Sequence, residues 1–238
     1  MIQLAVETEK IKKEVFDEMN AANALIYSII TFVVLTTIAM LCYPGGNFFD
    51  HSSIGYSFWE NFYSDLGRYK TFSGGNKNIS TFFFVIAVFQ MSWYITYFFK
   101  AFISKVSKID KHYSIQKLVR RSAYAYGVLL ACTAITPYDR LLLGHALVAN
   151  FSFVAMTFVA FGTAFLTYKI GFPKSYSFVF GLLGMLLVVY IYLLFTVRSL
   201  VPNANPYFHP TAQKIMVVCI ISALVYLASG YKKFVDKY

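Results

Sequence analysis

Long apolar runs are the feature that most limits how this chain can fold. Several of them reach the ~20 residues that a helix needs to cross ~30 Å of hydrocarbon. Over half of the residues, 58%, are hydrophobic and only 13% are charged, whereas roughly 25% are charged in a soluble domain. A soluble core has no use for so many runs of this length. The sequence therefore predicts an integral membrane protein.

The apolar runs predict an all-α bundle of six membrane-spanning helices. The third is the shortest, and it spans only if Arg120 and Arg121 extend to the lipid headgroups. A polar segment, residues 1–21, precedes the spans and is predicted to form a short surface helix that ends before Asn20. A short tail, residues 231–238, follows them. The predicted spans cover about 22–43, 79–99, 122–137, 141–168, 176–197 and 211–230.

The basic residues predict the topology. With six spans and a cytoplasmic N-terminus, most of the 21 Lys and Arg residues fall on the cytoplasmic side, as the positive-inside rule requires. Both termini are then cytoplasmic and the long first loop is exoplasmic. The predicted cytoplasmic set is Lys10, Lys12, Lys13, Lys100, Lys105, Lys108, Lys111, Lys117, Arg120, Arg121, Lys169, Lys174, Lys232, Lys233 and Lys237. The predicted exoplasmic set is Arg68, Lys70, Lys77, Arg140, Arg198 and Lys214.

The net charge of +10 does not indicate a nucleic-acid partner, because the basic residues lie in short segments between apolar runs. The three cysteines, Cys42, Cys132 and Cys219, lie inside those runs. A disulfide framework or a cysteine metal cluster is therefore not expected.

The first loop, from about Pro44 to Asn78, is long and aromatic. Its middle, SIGYSFWENFYSDLGR, predicts an amphipathic segment that ends at Gly67. Phe58 and Trp59 in it are residues that suit the headgroup zone. We expect this loop to pack as a lid over the outer mouth of the bundle.

Polar residues gather on the predicted exoplasmic side. His145 lies just inside the fourth span, where a polar ring requires a partner or water, and His209 precedes Pro210 at the start of the sixth. A helix start near several cations favours an anion such as a lipid phosphate, although the neighbouring acids could equally neutralise those cations. The predicted ligand-binding residues are Arg68, Arg140, Arg198, Gln213 and Lys214.

Two short motifs, SDLG at residues 64–67 and TPYDRLLLGH at residues 136–145, together with the six-span plan, resemble a family of bacterial and archaeal membrane proteins named only as domain of unknown function 998. The resemblance covers nearly the whole chain. It implies a six-helix protein of the bacterial or archaeal cytoplasmic membrane. That family is similar in layout to eukaryotic membrane proteins implicated in lipid-anchor remodelling and autophagy, which is an analogy at the level of fold.

Two functions follow as hypotheses. In the first, the exoplasmic cluster binds a membrane lipid or another anionic amphiphile. In the second, the protein is a zinc-dependent hydrolase or transferase acting on a lipid: His145 and His209 bind the metal with one of His51, Asp50 or Asp65, and Asp139 serves as base or orients a ligand. A structural alternative pairs Asp65 and Asp139 with Arg68, Arg140 or Arg198. In it the histidines hydrogen-bond across helices and tie the outer end of the bundle together. A haem between His145 and His209 has no supporting motif.

Overall fold

A computed structural model describes the backbone of residues 2–75, 79–200 and 208–235, and the side chains of residues 17–75, 79–196 and 208–234. The described chain is helical, as predicted. Its six long helices are α1 (Ile2–Leu41), α2 (Ile79–Ile109), α3 (Tyr113–Ile135), α4 (Leu142–Lys169), α5 (Lys174–Leu200) and α6 (Phe208–Val235). One short 3₁₀ helix, Tyr63–Gly67, lies between α1 and α2.

Five of these helices are long and apolar enough to cross a membrane. They are the Asp17–Leu41 part of α1, the whole of α2 and α4, the Lys174–Thr196 part of α5 and the Phe208–Phe234 part of α6. The chain is thus a multi-pass integral membrane protein. Helix α3 falls short of the same criterion because Lys117, Arg120 and Arg121 occupy its first half.

Three helices extend well beyond the predicted spans. Helix α1 continues without a break through Asn20, so the predicted separate surface helix before that residue is wrong; no Gly or Pro interrupts residues 2–41. Helix α2 runs ten residues past the predicted end at Phe99, and α3 begins nine residues before Ser122. Apolar content marks the membrane-embedded stretch, whereas a helix ends only where a breaker or a cap stops it.

The long helices pack mainly on their neighbours along the chain, and α6 returns to contact α1. Neighbours run antiparallel. At one end of the α1–α2 pair, Lys105 Nζ lies 3.3 Å from Glu18 Oε2, and midway along it Gln90 Nε2 donates to the Ser28 carbonyl over 2.9 Å. Glycines allow the closest approaches: a β-carbon on Gly127 of α3 would collide with Thr96 of α2. Chain-order packing therefore brings every second connection to the same end of the bundle.

We call one end of the bundle the loop end. It holds residues 42–75 (the α1–α2 loop), the α3–α4 connection and the start of α6. The opposite end holds the α2–α3 and α4–α5 connections. Helix α3 runs from the opposite end to the loop end: Gly162, late in α4, leaves room for Val119, early in α3, and His145 at the start of α4 contacts Thr136 just after α3.

The α1–α2 loop enters the bundle. The ring of Tyr63 lies 6.2 Å from that of Phe32 in α1, which is nine residues, about 13 Å along the helix axis, before the end of α1 at Leu41. Leu66 is fully buried, and Ser80 at the start of α2 donates to its carbonyl over 3.1 Å. The 3₁₀ helix ends at Gly67, as predicted, but the rest of the predicted amphipathic segment is not helical. The loop fills the loop end as well as covering it.

Candidate loop-end site

Asp65 is the buried acid at the centre of the loop. Its side chain is nearly inaccessible, and one carboxylate oxygen, Oδ2, accepts hydrogen bonds from Asn61 Nδ2 over 3.0 Å and from the Phe62 N–H over 2.9 Å. Burial raises the pKa of Asp65 to about 6, even though these bonds and the charges of Arg68 and Lys214 favour the ionised form. The local bonds explain the tight turn here, since Asn and Asp side chains that bond to nearby backbone compete with a regular helix.

Lys214 fastens α6 to the loop. Its ammonium donates to the Asn61 carbonyl and is surrounded by the rings of Tyr56, Phe58 and Tyr63, whose centroids lie 5.1 to 5.7 Å away. Aromatic faces stabilise a cation of this kind. The side chain is buried. Lys214 is therefore already occupied by partners within the protein.

Gln213, the other predicted α6 ligand residue, also binds the loop. Its side-chain oxygen accepts the Tyr63 N–H over 2.9 Å. Neighbouring side chains of α6 thus hold two successive parts of the loop, at Asn61 and at Tyr63.

Asp139, predicted as a base, lies in the α3–α4 connection and binds the other side of the loop. Its two carboxylate oxygens accept the N–H groups of Tyr69 and Lys70, each over 2.9 Å. A carboxylate bound by two backbone N–H groups fixes the chain that carries them. The α3–α4 connection and α6 therefore hold the loop from two directions.

Arg68 and Arg140 are held by aromatic rings. The Arg68 guanidinium lies 3.7 Å from the ring centroid of Phe72 and 5.8 Å from that of Tyr138, and its Nε donates to the Lys70 carbonyl over 3.0 Å. The Arg140 guanidinium lies 3.5 Å from the ring centroid of Tyr69. Arg68 is buried and Arg140 is exposed. Stacking fixes the orientation of both planar groups.

Neither guanidinium has a carboxylate partner among the described residues. The ion pairs within 4 Å in the described part of the chain, Lys105–Glu18 and His112–Asp110, both lie at the opposite end. The structural alternative that paired Asp65 or Asp139 with Arg68 or Arg140 is therefore wrong. The physical reason is that Asn61 and backbone N–H groups already occupy the two carboxylates. The side chain of Arg198 lies outside the described residues.

His145, the predicted catalytic histidine, is buried at the start of α4. Its Nδ1 lies 2.6 Å from the Thr136 carbonyl, so this nitrogen carries a proton and donates it. The ring also meets Tyr138 edge to face at 5.8 Å. His145 thereby joins the start of α4 to the residue after α3, beside the ring that contacts Arg68.

The remaining predicted metal ligands are dispersed. Asp50 is exposed and accepts bonds from the N–H and hydroxyl of Ser52, which lower its pKa. His51 lies against Phe72, and His209 lies beside Phe208 at the start of α6. Within the described residues, no three His, Cys, Asp or Glu side chains are placed to hold a metal ion. The predicted set of His145, His209 and one of His51, Asp50 or Asp65 does not converge, because each group sits on a separate part of the loop end.

Asn61 is the residue that sequence reasoning missed. Besides binding Asp65 and Lys214, its Nδ2 donates to the Gly46 carbonyl over 3.0 Å and its Oδ1 accepts the Ser57 N–H over 2.9 Å. The fully buried side-chain amide therefore joins three parts of the loop, while the backbone carbonyl of the same residue accepts the bond from Lys214 of α6. The sequence did offer one indication of its role: Asn61 lies within an aromatic stretch, between Trp59 and Tyr63. An amide that is buried among aromatic residues requires several hydrogen-bond partners.

Comparison of the chain with models of known protein families, with curated proteins and with solved structures finds no match. The resemblance to domain of unknown function 998 stays a prediction that rests on the two short motifs.

Proposed function

We propose that this chain is a six-span membrane protein whose loop end binds an anionic lipid headgroup, or another anionic amphiphile, through Arg68 and Arg140. The observation that carries the proposal is that both guanidinium groups are oriented by aromatic rings while no carboxylate oxygen among the described residues lies within 4 Å of either. In the proposed topology both termini are cytoplasmic and the loop end is exoplasmic. We also propose, on the resemblance to domain of unknown function 998 alone, that the chain lies in a bacterial or archaeal cytoplasmic membrane.

The topology rests on α3 acting as the sixth span. Helix α3 covers 23 residues, about 34 Å at 1.5 Å per residue, and it packs between α2 and α4, which are both apolar enough to span. Its neighbours shield part of its surface from lipid. Its basic residues lie at the opposite end, where Arg120 and Arg121 are exposed and can extend to headgroups. The same end gathers the basic residues that the positive-inside rule assigns to the cytoplasm.

The chemistry suits a phosphate or carboxylate. A guanidinium presents five N–H donors in a planar fork that matches both anions. Within the described residues, Arg68 uses one of these donors, on Nε, for the Lys70 carbonyl. Arg140 makes no side-chain hydrogen bond within the same residues and contacts the face of Tyr69. The described residues therefore leave most of the N–H donors of both groups without an acceptor.

Asp139 positions the segment that carries Arg68 and forms no ion pair with either arginine. Asp139 fixes the backbone of Tyr69 and Lys70, next to Arg68, and it directly precedes Arg140 in the chain. Lys214 and Gln213 hold the other side of the loop, at Asn61 and Tyr63. We therefore assign direct anion contact to Arg68 and Arg140, and a positioning role to Asp139, Gln213 and Lys214.

The test uses protein purified in a neutral detergent. Isothermal titration calorimetry measures the binding of short-chain phospholipids to it. The probes are dioctanoyl phosphatidylglycerol, dioctanoyl phosphatidylcholine and inorganic phosphate. We expect the phosphatidylglycerol to bind and the zwitterionic lipid to bind at least tenfold more weakly, since its choline cation offsets the phosphate charge and is repelled by two guanidinium groups. Arg68→Gln and Arg140→Gln should each weaken the anionic lipid by about tenfold.

The matched control is Lys100→Gln, which removes an exposed cation of α2 at the opposite end. It should leave binding unchanged if the site is at the loop end. Equal loss in all three variants would indicate diffuse attraction to any cation and would overturn the proposal, as would equal binding of both lipids. Binding of phosphate as tight as that of the lipid would identify an anion site without a lipid preference.

The zinc hydrolase has no such support, because its ligands do not converge within the described residues. Anion binding is the function that the geometry favours.

A further inference from the structure

A small hairpin opens the α1–α2 loop and leaves three large apolar side chains exposed. Residues 44–55 fold back on themselves: Gly46 N–H donates to the Ser53 carbonyl over 2.8 Å, and Gly45 bridges Ile54. Phe48 and Phe49 are more than half exposed, and Ile54 is 98% exposed. Exposed apolar groups on one rigid element indicate a surface that meets something other than water.

The hairpin tip is ordered by its own polar groups. Asn47 is buried, its Oδ1 accepts the N–H groups of Phe49 and Asp50, each over 2.8 Å, and its Nδ2 donates to Glu60 over 2.9 Å. Gly46 has a φ of +81°, and a β-carbon there would collide with Phe72. The phenylalanines are therefore presented outward by a fixed backbone.

The hairpin follows directly after the exposed surface of α1. That surface carries the exposed residues Tyr27, Ile30, Val34 and Leu41 along the membrane-spanning part of the helix. The hairpin begins at Pro44, three residues after Leu41, and Pro44 accepts the Gly55 N–H next to Ile54. Three residues of chain reach at most ~11 Å. The hairpin therefore starts at the edge of the bilayer, where aromatic residues are enriched.

The other side of the hairpin packs on the loop. His51 contacts the ring of Phe72 at 5.3 Å, and Phe48 meets the same ring at 6.4 Å while remaining more than half exposed. The Phe72 ring also carries the Arg68 guanidinium. The inner side of the hairpin thus packs on a later part of the same loop, at Phe72. Phe49 and Ile54 extend away from that contact.

We infer that the hairpin of residues 44–55 contacts the membrane, with Phe48, Phe49 and Ile54 in the headgroup layer of the leaflet at the loop end. The partner is the lipid surface. The inference depends on the chain crossing the membrane and not on anion binding by Arg68.

The test uses a single indole as a depth probe in nanodiscs. Trp59→Phe and Trp93→Phe remove both native tryptophans, and Phe49→Trp or Ile54→Trp then places one at the hairpin. Lipids brominated in the upper acyl chain should quench emission from positions 49 and 54, and aqueous acrylamide should quench it weakly. The lipid reference is Trp59→Phe alone, which leaves Trp93 on the exposed face of α2. The matched polar position on the same loop is the exposed Ser73, probed by Ser73→Trp.

Quenching by acrylamide and not by brominated lipid, at both hairpin positions, would show that the tip faces water and would overturn the inference. Quenching by neither reagent would show that protein covers the tip and would also overturn it. Adding Arg68→Gln to the Phe49→Trp variant separates the two proposals, because the quenching pattern should persist even where anion binding is lost.

Discussion

The ammonium of Lys214, in α6, donates a hydrogen bond to the backbone carbonyl of Asn61, in the middle of the α1–α2 loop. The two residues are 153 positions apart, so this bond joins the last helix to the segment that enters the bundle between α1 and α2. Three aromatic rings of the same loop surround the charge. Loop and helix are therefore stabilised as one unit.

Lys214→Met should lower the free energy of unfolding by about 2 kcal/mol, since it removes a charged donor from a buried carbonyl and a cation from three ring faces. Methionine keeps the length and the apolar stem of lysine. The measurement is the thermal midpoint in detergent, followed by intrinsic fluorescence. Lys100→Met, an exposed lysine of α2, is the control and should leave the midpoint unchanged. Equal midpoints for wild type and Lys214→Met would contradict the assigned role.

Asp139→Asn should expose the amides of Tyr69 and Lys70 to hydrogen exchange. Both carboxylate oxygens accept one of these N–H groups, whereas an asparagine offers one oxygen and turns an NH₂ group toward the second N–H. The loss of roughly one hydrogen bond predicts about tenfold faster exchange at these positions. Hydrogen exchange read by mass spectrometry over residues 66–75 measures it.

Asp50→Asn is the control for this experiment, because Asp50 bonds only within its own turn. It should leave exchange at Tyr69 and Lys70 unchanged. Unaltered exchange in Asp139→Asn would mean that other contacts hold this part of the loop.

The sequence predicted the helical bundle well because membrane burial leaves a strong signal of length and apolarity. It predicted helix ends poorly: nothing in the apolar pattern indicates that α2 continues to Ile109 or that α1 begins at Ile2. Those extensions mix charged and apolar residues in helical conformation outside the continuous apolar stretch. Their only sequence signal is the lack of Gly and Pro.

The loop-end site was predicted in its residues but not in its connections. Asp65, Arg68, Asp139, His145, Gln213 and Lys214 all lie at the loop end, as expected from topology, yet sequence gives no means to pair residues 70 to 150 positions apart. Periodicity along a helix predicts which face a residue occupies. An irregular loop has no such period, so its contacts cannot be predicted in this way. The bonds that Asn61 makes depend on the fold of that loop and so became visible only in the structure.

Stability should depend on pH through Asp65. Burial raises its folded-state pKa from 3.8 to about 6, so between these values the folded protein binds more protons than the unfolded chain. The contribution of Asp65 to stability is then greatest below pH 3.8 and falls as the pH rises toward 6, by about 3 kcal/mol in total. Above pH 6 the loss is complete and constant.

Asp65→Asn isolates this effect. Both hydrogen bonds of the carboxylate go to a single oxygen, Oδ2, which the amide oxygen of asparagine can replace. The variant should match wild type near pH 3 and be the more stable protein near pH 7.5, by up to about 3 kcal/mol. The thermal midpoints of both proteins are compared at each pH. Their difference reports Asp65 alone, because the two proteins share all other titrating groups. A variant that is less stable than wild type at pH 7.5 would mean that Arg68 and Lys214 stabilise the charge more than burial disfavours it.

The two chain termini should lie on the same side of the membrane. Helix α3 runs from the opposite end of the bundle to the loop end between two apolar helices, and with α3 counted the number of crossings is six, which is even. Five crossings would place the termini on opposite sides. Split-fluorescent-protein tags at the N- and C-terminus, each with its complement expressed in the cytoplasm, distinguish the two cases. We expect both tags to fluoresce, because the exposed basic residues Lys117, Arg120 and Arg121 favour a cytoplasmic start for α3. A signal from one tag alone would show that α3 does not cross. The α1–α2 loop and the start of α6 would then lie on opposite sides of the membrane, so only one of them could be exoplasmic.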